Sequence, residues 1–125
     1  MNRVVAYSTT ATIKILQQPS NHEWIEMAIA NLDTILLDHS HCERKAAGAA
    51  INLMFRYPSH QKLVRQLTAI AQEELSHFDQ VNQWLEKRNL PLAALNAPPY
   101  FAQLKSQLRH PEPERLVDLL LVSAI

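Results

Sequence analysis

Two long segments of this chain contain no proline and repeat their apolar residues at helical spacing, and Pro58 separates them. Proline lacks a backbone donor and clashes with the preceding turn, so it ends a helix rather than continuing it. The first segment predicts a helix that starts after Pro19, with Ser20 as N-cap and Glu23 completing a capping box. A helix that runs from there to Pro58 is unusually long, and we expect a break near residues 31–34.

The second segment predicts a helix from a Ser59 cap to about Arg88, followed by Asn89 as a left-handed C-cap. Proline-containing loops then precede two shorter helices, at about residues 100–109 and from about Glu114. The chain has a single glycine and many Leu, Ala, Gln and Glu residues, which favour helix over sheet. The sequence therefore predicts an all-α protein.

The composition narrows the class of protein. A length of 125 residues suits one domain over residues 1–125, and a formal net charge of zero gives no overall basic field for nucleic acid. Cys42 is the only cysteine, which excludes an internal disulfide and fits a reducing compartment. Residues 1–16 lack the continuous apolar core of a secretion signal. Residues 1–18 predict an irregular or short helical lead-in. No apolar run reaches the roughly 18 residues of a membrane span, so we expect a soluble, cytoplasmic protein without a membrane partner.

Carboxylates occupy the predicted core faces of both long helices. Glu43 lies at the centre of the first apolar stripe, which consists of Leu32, Leu36, Ala46, Ala47, Ala50 and Met54. Glu74 and His77 lie at the centre of the second, which consists of Leu63, Leu67, Ile70, Val81 and Trp84. Burying an ionised carboxylate without a partner lowers the free energy of unfolding by roughly several kcal/mol. These acids therefore need a counter-charge.

The three polar side chains are also expected at one height. Glu43 lies 15 residues before Pro58 and Glu74 lies 16 residues after it, which places both about 22–24 Å from the turn of an antiparallel hairpin. Glu74 and His77 form a Glu-x-x-His motif, whose two side chains reach one ion from the same helix face. The pattern predicts a metal site, and a buried Glu–His ion pair without metal stays open as the alternative.

The neighbouring polar residues fit such a site less well. His41 lies about 200° around the helix from Glu43 and is expected to face elsewhere. His39, one turn before Glu43, is expected at the edge of the core or beside a ligand. Glu73 is expected in solvent or in a salt bridge, and Cys42 as a packed small side chain.

Several strings of the sequence resemble the tRNA 2-methylthio-N6-isopentenyladenosine hydroxylases. They are LLDHSHCERKAA at 36–47, LMFRYP at 53–58, EELSHFDQV at 73–81, and residues 109–125, which include EPERLVD. The resemblance covers about residues 20–125. It implies a ferritin-like antiparallel four-helix bundle and a non-haem di-iron monooxygenase. Such an enzyme uses iron, O2 and external electrons to hydroxylate the isopentenyl group of a modified adenosine in tRNA. It also implies that Glu43, Glu74 and His77 are the metal ligands and the catalytic residues.

The family's second Glu and second Glu-x-x-His have no counterpart in the sequence, since His77 alone among six histidines follows a Glu by three residues. The chain therefore resembles the N-terminal part of the family, with a bundle apparently truncated in its last helices. The apolar run at 119–125 carries no helix-end signal, which fits a helix that continues or that a partner covers. A missing C-terminal portion or a homodimer could each complete the site.

Two other functions stay open at this point. One is a ferritin-like iron-binding or peroxide-reducing protein, and the other is an inactive helical remnant that binds a partner. Neither the electron-donor protein nor the tRNA-contacting residues follow from the sequence, because its basic residues are scattered. The available ones are Arg56, Lys62, Arg65, Lys87, Arg88, Lys105 and Arg109.

Overall fold

A computed structural model describes residues 19–96 and 98–123, which form five α-helices and no strand. The helices are α1 (His22–Ala30), α2 (Leu32–Arg56), α3 (Gln61–Lys87), α4 (Pro99–Ser106) and α5 (Glu114–Ser123). The prediction of an all-α protein is confirmed, whereas the predicted lead-in at 1–18 lies outside the described residues. No helix within the described ranges combines the length and apolar character needed to cross a membrane.

The break expected near residues 31–34 occurs at Asn31. Its backbone N–H still bonds to the carbonyls of Met27 and Ala28, and its side chain donates to Met27 O at 2.8 Å. Asn31 thereby closes α1, and α2 starts at the next residue. The chain divides into two compact units at this point, with α1 in the first and α2 to α5 in the second. The expectation of a single domain stays a prediction.

Both predicted N-caps are wrong. Asn21, and not Ser20, caps α1, because its Oδ1 accepts from the Glu23 backbone N–H at 3.1 Å. Asparagine satisfies a free helix N–H as well as serine does, so the helix begins one residue later. Ser59 belongs to the turn before α3, and the cap position falls on His60, whose side chain makes no capping bond.

Helices α2 and α3 form an antiparallel hairpin around this short turn. At the turn end of the hairpin, a buried cluster joins the two helices. It consists of Ala50, Leu53, Tyr57, Leu67 and Ala71, and Leu116 and Leu119 of α5 pack against it. Farther along, Ser40 is fully buried and donates to Asn82 Oδ1 at 2.7 Å, which links the helices towards the end opposite the turn. The hairpin is therefore held by contacts along much of its length.

Three residues of the predicted core stripes are exposed. Ile70 is 44% exposed, Trp84 57% and Leu32 44%. On α3, Ile70 lies about 60° around the helix from the buried Leu67. Trp84 lies about 100° around it from the buried Leu85. The contact between two helices covers only one side of a broad apolar stripe, so the prediction was wrong at its other edge.

The end of α3 is closed as predicted. Asn89 has φ 55°, in the left-handed region, and its N–H bonds to Glu86 O while the N–H of Leu90 bonds to Leu85 O. These two bonds form a Schellman motif, which satisfies carbonyls that the helix leaves free. Arg88 contacts Asp33 of α2 through its guanidinium, so the end of the hairpin opposite the turn is also linked.

The two short helices differ slightly from the prediction. Helix α4 ends at Ser106 rather than near residue 109, because the backbone N–H of Arg109 donates to Asp118 Oδ2 at 2.9 Å instead of continuing the helix. Helix α5 begins at Glu114, as expected. The segment before α5 is attached to the hairpin, since the Tyr57 hydroxyl donates to Glu112 Oε1 at 2.6 Å.

Candidate metal centre

The hairpin brings Glu43, Glu74 and His77 together. One donor atom from each lies within 4.8 Å of the other two. His77 Nδ1 is 3.5 Å from Glu43 Oε2 and 3.5 Å from Glu74 Oε2, so the imidazole stands between the two carboxylates. The side chains are 12%, 25% and 44% exposed in the order Glu43, Glu74, His77, and the cluster is thus half-buried with its imidazole towards the outside.

The local sequence explains this convergence. Glu74 and His77 are one helical turn apart on α3 and share a face. Glu43 lies near the middle of α2, at nearly the same distance from the turn as Glu74. The small residues Ala47 and Ala50, which follow Glu43 on its face, are buried and allow the helices to approach closely.

The two carboxyl groups repel each other in the absence of a cation. The hydrogen-bonding contact with Glu43, then burial and then the Glu43 charge raise the pKa of Glu74 above its ordinary value, and His77 opposes the shift. An ion between the groups would stabilise both carboxylates in their charged form. The electrostatics of the cluster therefore favour either a shared proton or a bound cation.

The geometry and chemistry of the donors fit one metal ion. Bonds of about 2.0–2.2 Å separate the donors of one ion by at most about 4.4 Å, which small side-chain rotations achieve from the present spacing. Two carboxylate oxygens and one imidazole nitrogen suit iron among other first-row metals. A pair of ions needs more carboxylate ligands than these three residues offer.

The other residues considered from the sequence take different places. His41 is 5% exposed, and its Nε2 contacts Ala93 O at 2.5 Å while Arg44 Nη2 contacts its Nδ1 at 2.8 Å. His41 therefore links the segment after α3 to α2 through its contact with Ala93. It does not belong to the cluster of Glu43, Glu74 and His77. Glu73 is exposed, as expected. Cys42 is also exposed, so the expectation of a packed side chain was wrong. Its neighbour His41 takes the buried position instead.

His39 makes a contact with the site that the sequence only suggested. Its Nε2 lies 3.0 Å from Glu43 Oε1, the oxygen of Glu43 that is not beside His77. The spacing of four residues on one helix is the signal for this contact. By contrast, the Ser40–Asn82 and Tyr57–Glu112 bonds join residues 42 and 55 positions apart, and no short-range pattern predicts them.

Comparison with known proteins identifies the family of this chain. Residues 7–125 match the family described as tRNA-(MS[2]IO[6]A)-hydroxylase (MiaE). The chain belongs to the MiaE family. The resemblance that the sequence strings suggested is thereby confirmed.

Two relatives of the MiaE family are both named tRNA 2-(methylsulfanyl)-N(6)-isopentenyladenosine(37) hydroxylase. The one from Pseudomonas putida is 40% identical over 106 residues, which are 85% of this chain and 52% of that protein. The one from Salmonella typhimurium is 24% identical over 161 residues, covering 90% of this chain and 60% of that protein. The MiaE-family chain thus spans roughly half the length of the curated relatives it matches.

A solved structure agrees with the fold. "Protein 43 with aldehyde deformylating oxygenase activity from Synechococcus" superposes on the MiaE-family chain with a TM-score of 0.79 and 44% sequence identity. The match covers 86% of this chain and 54% of that one. The predicted ferritin-like, all-helical fold class is confirmed.

Proposed function

We propose that the chain acts in a non-haem di-iron monooxygenase that hydroxylates the isopentenyl group of 2-methylthio-N6-isopentenyladenosine in tRNA, with O2 and external electrons. The cluster of Glu43, Glu74 and His77 in a chain of the MiaE family carries this proposal. The names of the Pseudomonas and Salmonella relatives supply the substrate class.

Glu43, Glu74 and His77 would hold iron in this proposal. When bound, iron supplies the activation of O2 that oxidation of an unactivated C–H bond requires and that no side chain provides. The chain's own contribution is to hold two carboxylates and one imidazole at one height of the hairpin. Glu43 and Glu74 are the more buried members of the set, and His77 is the more exposed one, so a substrate would approach from the His77 side.

A complete di-iron site needs a second Glu and a second Glu-x-x-His. The sequence contains one Glu-x-x-His, so in this proposal the remaining ligands would be supplied from outside the 125 residues. We propose two sources, a second copy of the chain or the further portion of a longer polypeptide. The coverage of about half of each relative is compatible with both.

The proposal also places the protein in the cytoplasm, beside its tRNA substrate. The single cysteine and the absence of any internal disulfide support a reducing compartment. An electron-donor protein completes the reaction, since hydroxylation with O2 consumes two electrons from outside the substrate.

Iron loading under anaerobic conditions tests the proposed metal site. We expect the wild-type chain to bind iron, and Glu74→Gln to lose most of that binding because one carboxylate ligand is removed. Glu73→Gln is the matched control, since it removes the neighbouring, exposed carboxylate and should bind iron like the wild type. Equal binding by both variants would contradict the assignment of Glu74.

The same loaded sample tests how the site is completed. Light scattering should give the mass of a dimer with about two irons per dimer if a second copy supplies the missing ligands. A loaded monomer with one iron would favour completion by a longer polypeptide.

Hydroxylation of tRNA is measured on the completed enzyme, with a reductant, O2 and tRNA that carries the isopentenylated base. Formation of the hydroxylated nucleoside is expected, and its absence in an iron-loaded, completed enzyme would refute the proposed substrate.

Oxygen-dependent aldehyde deformylation is a second candidate, because the Synechococcus protein is named for that activity and is 44% identical to this chain. An aldehyde offered in place of tRNA under the same conditions separates the two functions. Loss of the formyl carbon from the aldehyde, together with unmodified tRNA, would favour the second candidate. Peroxide consumption without either reaction would favour a ferritin-like peroxidase.

A further inference from the structure

We propose that His39 is a positioning residue that orients Glu43 towards the metal, an inference that rests on the proposed metal site. The two oxygens of Glu43 have different neighbours. Oε1 lies 3.0 Å from His39 Nε2, whereas Oε2 lies 3.5 Å from His77 Nδ1 within the cluster. His39 therefore contacts the oxygen of Glu43 other than the one beside His77.

His39 is not itself one of the clustered donors. The group whose donor atoms all lie within 4.8 Å of one another contains Glu43, Glu74 and His77 but not His39. Its side chain is 54% exposed, compared with 12% for Glu43. His39 thus approaches Glu43 from the outer side of the site and acts on the metal only through that carboxylate.

The contact between His39 and Glu43 is made within α2 alone. His39 precedes Glu43 by four residues on α2, so the two side chains are neighbours on one helix surface. By contrast, the contacts of Glu43 with α3 need the packed hairpin. His39 can therefore orient the carboxylate before the second helix or a metal is in place.

Orientation has an energetic consequence for this residue type. Fixing the rotamers of a glutamate costs side-chain entropy, which metal binding must otherwise overcome. In the described part of the chain, the arginine ion pairs join Arg88 to Asp33 and Arg109 to Asp118, and none involves Glu43. The Nε2–Oε1 contact of 3.0 Å restrains Oε1 electrostatically and leaves Oε2 available for the ion.

Titration of the full chain with Co(II), followed by visible absorption, tests the inference without any turnover. We expect His39→Leu to weaken Co(II) binding by about 10–100-fold, the usual effect of removing a group that holds a ligand in place. His39→Gln should bind close to the wild-type affinity, because its amide N–H2 can reach the same oxygen as Nε2 does. This rescue separates donation to Glu43 from simple filling of space.

Two controls accompany the titration: a variant at another histidine, and the stability of each variant without metal. His60→Leu removes a histidine that makes no side-chain capping bond and should leave Co(II) affinity unchanged. Helicity and the thermal midpoint without metal should agree among the variants, because His39 is half-exposed and lies outside the buried cluster. If His39→Leu loses helicity, His39→Ala takes its place in the comparison.

Two results would overturn the inference while the proposed metal site stands. One is unchanged Co(II) affinity in His39→Leu when Glu74→Gln abolishes binding in the same assay. The other is an equal loss in His39→Leu and His39→Gln, since donation would then not be the property that matters. Failure of the wild-type chain to bind Co(II) or iron at all would instead refute the metal site, and the positioning role with it.

Discussion

At the scale of single residues, the candidate site holds two like charges close together, which opposes the stability of the fold. Glu43 and Glu74 face each other at the α2–α3 interface, and their contact raises the pKa of Glu74. Two close carboxylates destabilise the metal-free fold, and a cation between them reverses the effect. A chain selected only for stability would place apolar side chains at these positions of the stripes.

Replacement of Glu74 by glutamine should separate these two effects. Because it removes one of two like charges, the metal-free variant should unfold at the same or a higher temperature than the wild type. At a metal concentration of 100 times the dissociation constant, the wild type should gain about 2.7 kcal/mol of stability, and the variant should gain almost none. Thermal unfolding with and without metal measures both. A metal-dependent gain in the variant as large as that of the wild type would contradict the ligand role of Glu74.

At the scale of the helices, short polar contacts decide where each element ends. The Schellman motif at Asn89 closes α3. The pairing of Arg109 with Asp118 stops α4 from extending and ties the segment before α5 to the middle of that helix. The two features differ in their physical basis, because the first depends on backbone conformation and the second on charge.

The conformation of Asn89 leads to a backbone prediction. Asn89→Ala should lower the free energy of unfolding by about 1 kcal/mol, because alanine is strained at a φ of 55°. Asn89→Gly should be close to neutral or slightly stabilising, since glycine has no Cβ to clash. Urea unfolding of the three proteins provides the measurement. Equal stability of the alanine and glycine variants would show that α3 does not depend on this left-handed residue.

The pairing of Arg109 with Asp118 leads to a pH prediction. Its hydrogen bonds lower the pKa of Asp118 from 3.8 to about 2, so the folded state favours the ionised carboxylate. The stabilisation is present above a pH of about 3.8 and is lost as the pH falls from there towards 2. Asp118→Asn should therefore destabilise the protein near neutral pH and lose this effect through the same range.

Urea midpoints at a pH of about 7, 5 and 3 test this dependence. Asp79→Asn serves as the control, since Asp79 is exposed and accepts only from Gln83 on its own helix. A difference between wild type and Asp118→Asn that stays constant at every pH would mean that the charge of Asp118 does not stabilise α5.

At the scale of the whole molecule, the hairpin buries apolar side chains near its turn and exposes others along one side of α3. The buried cluster near the turn joins α2, α3 and α5. Along the outer edge of α3, Ile70 and Trp84 stand seven residues before and after His77 and are largely exposed. Within the described residues, the contact with α2 therefore leaves this edge of α3 largely uncovered.

This uneven burial predicts two different costs of truncation. Leu67→Ala should lower the free energy of unfolding by about 2–5 kcal/mol, because Leu67 is 4% exposed within the cluster. Trp84→Ala should cost far less in the isolated chain despite the larger side chain, since more than half of Trp84 is already exposed. Urea unfolding compares them directly. A larger loss from Trp84→Ala would show that its side chain is covered in solution.

The sequence by itself determined the helical class, a break within residues 31–34, the left-handed Asn89 and the convergence of Glu43, Glu74 and His77. All of these follow from local rules, because helical spacing and the distance from a proline-marked turn set both the face and the height of a side chain. Whether the three residues bind iron stays a prediction.

Only the tertiary structure decided which edge of each apolar stripe is buried, as the exposure of Ile70 and Trp84 shows. It also decided that His41 rather than Cys42 lies inside, because Ala93 and Arg44 supply partners for both ring nitrogens. The physical reason is that burial and long-range hydrogen bonds depend on what packs against a helix, and the periodicity of one helix carries no information about its neighbours.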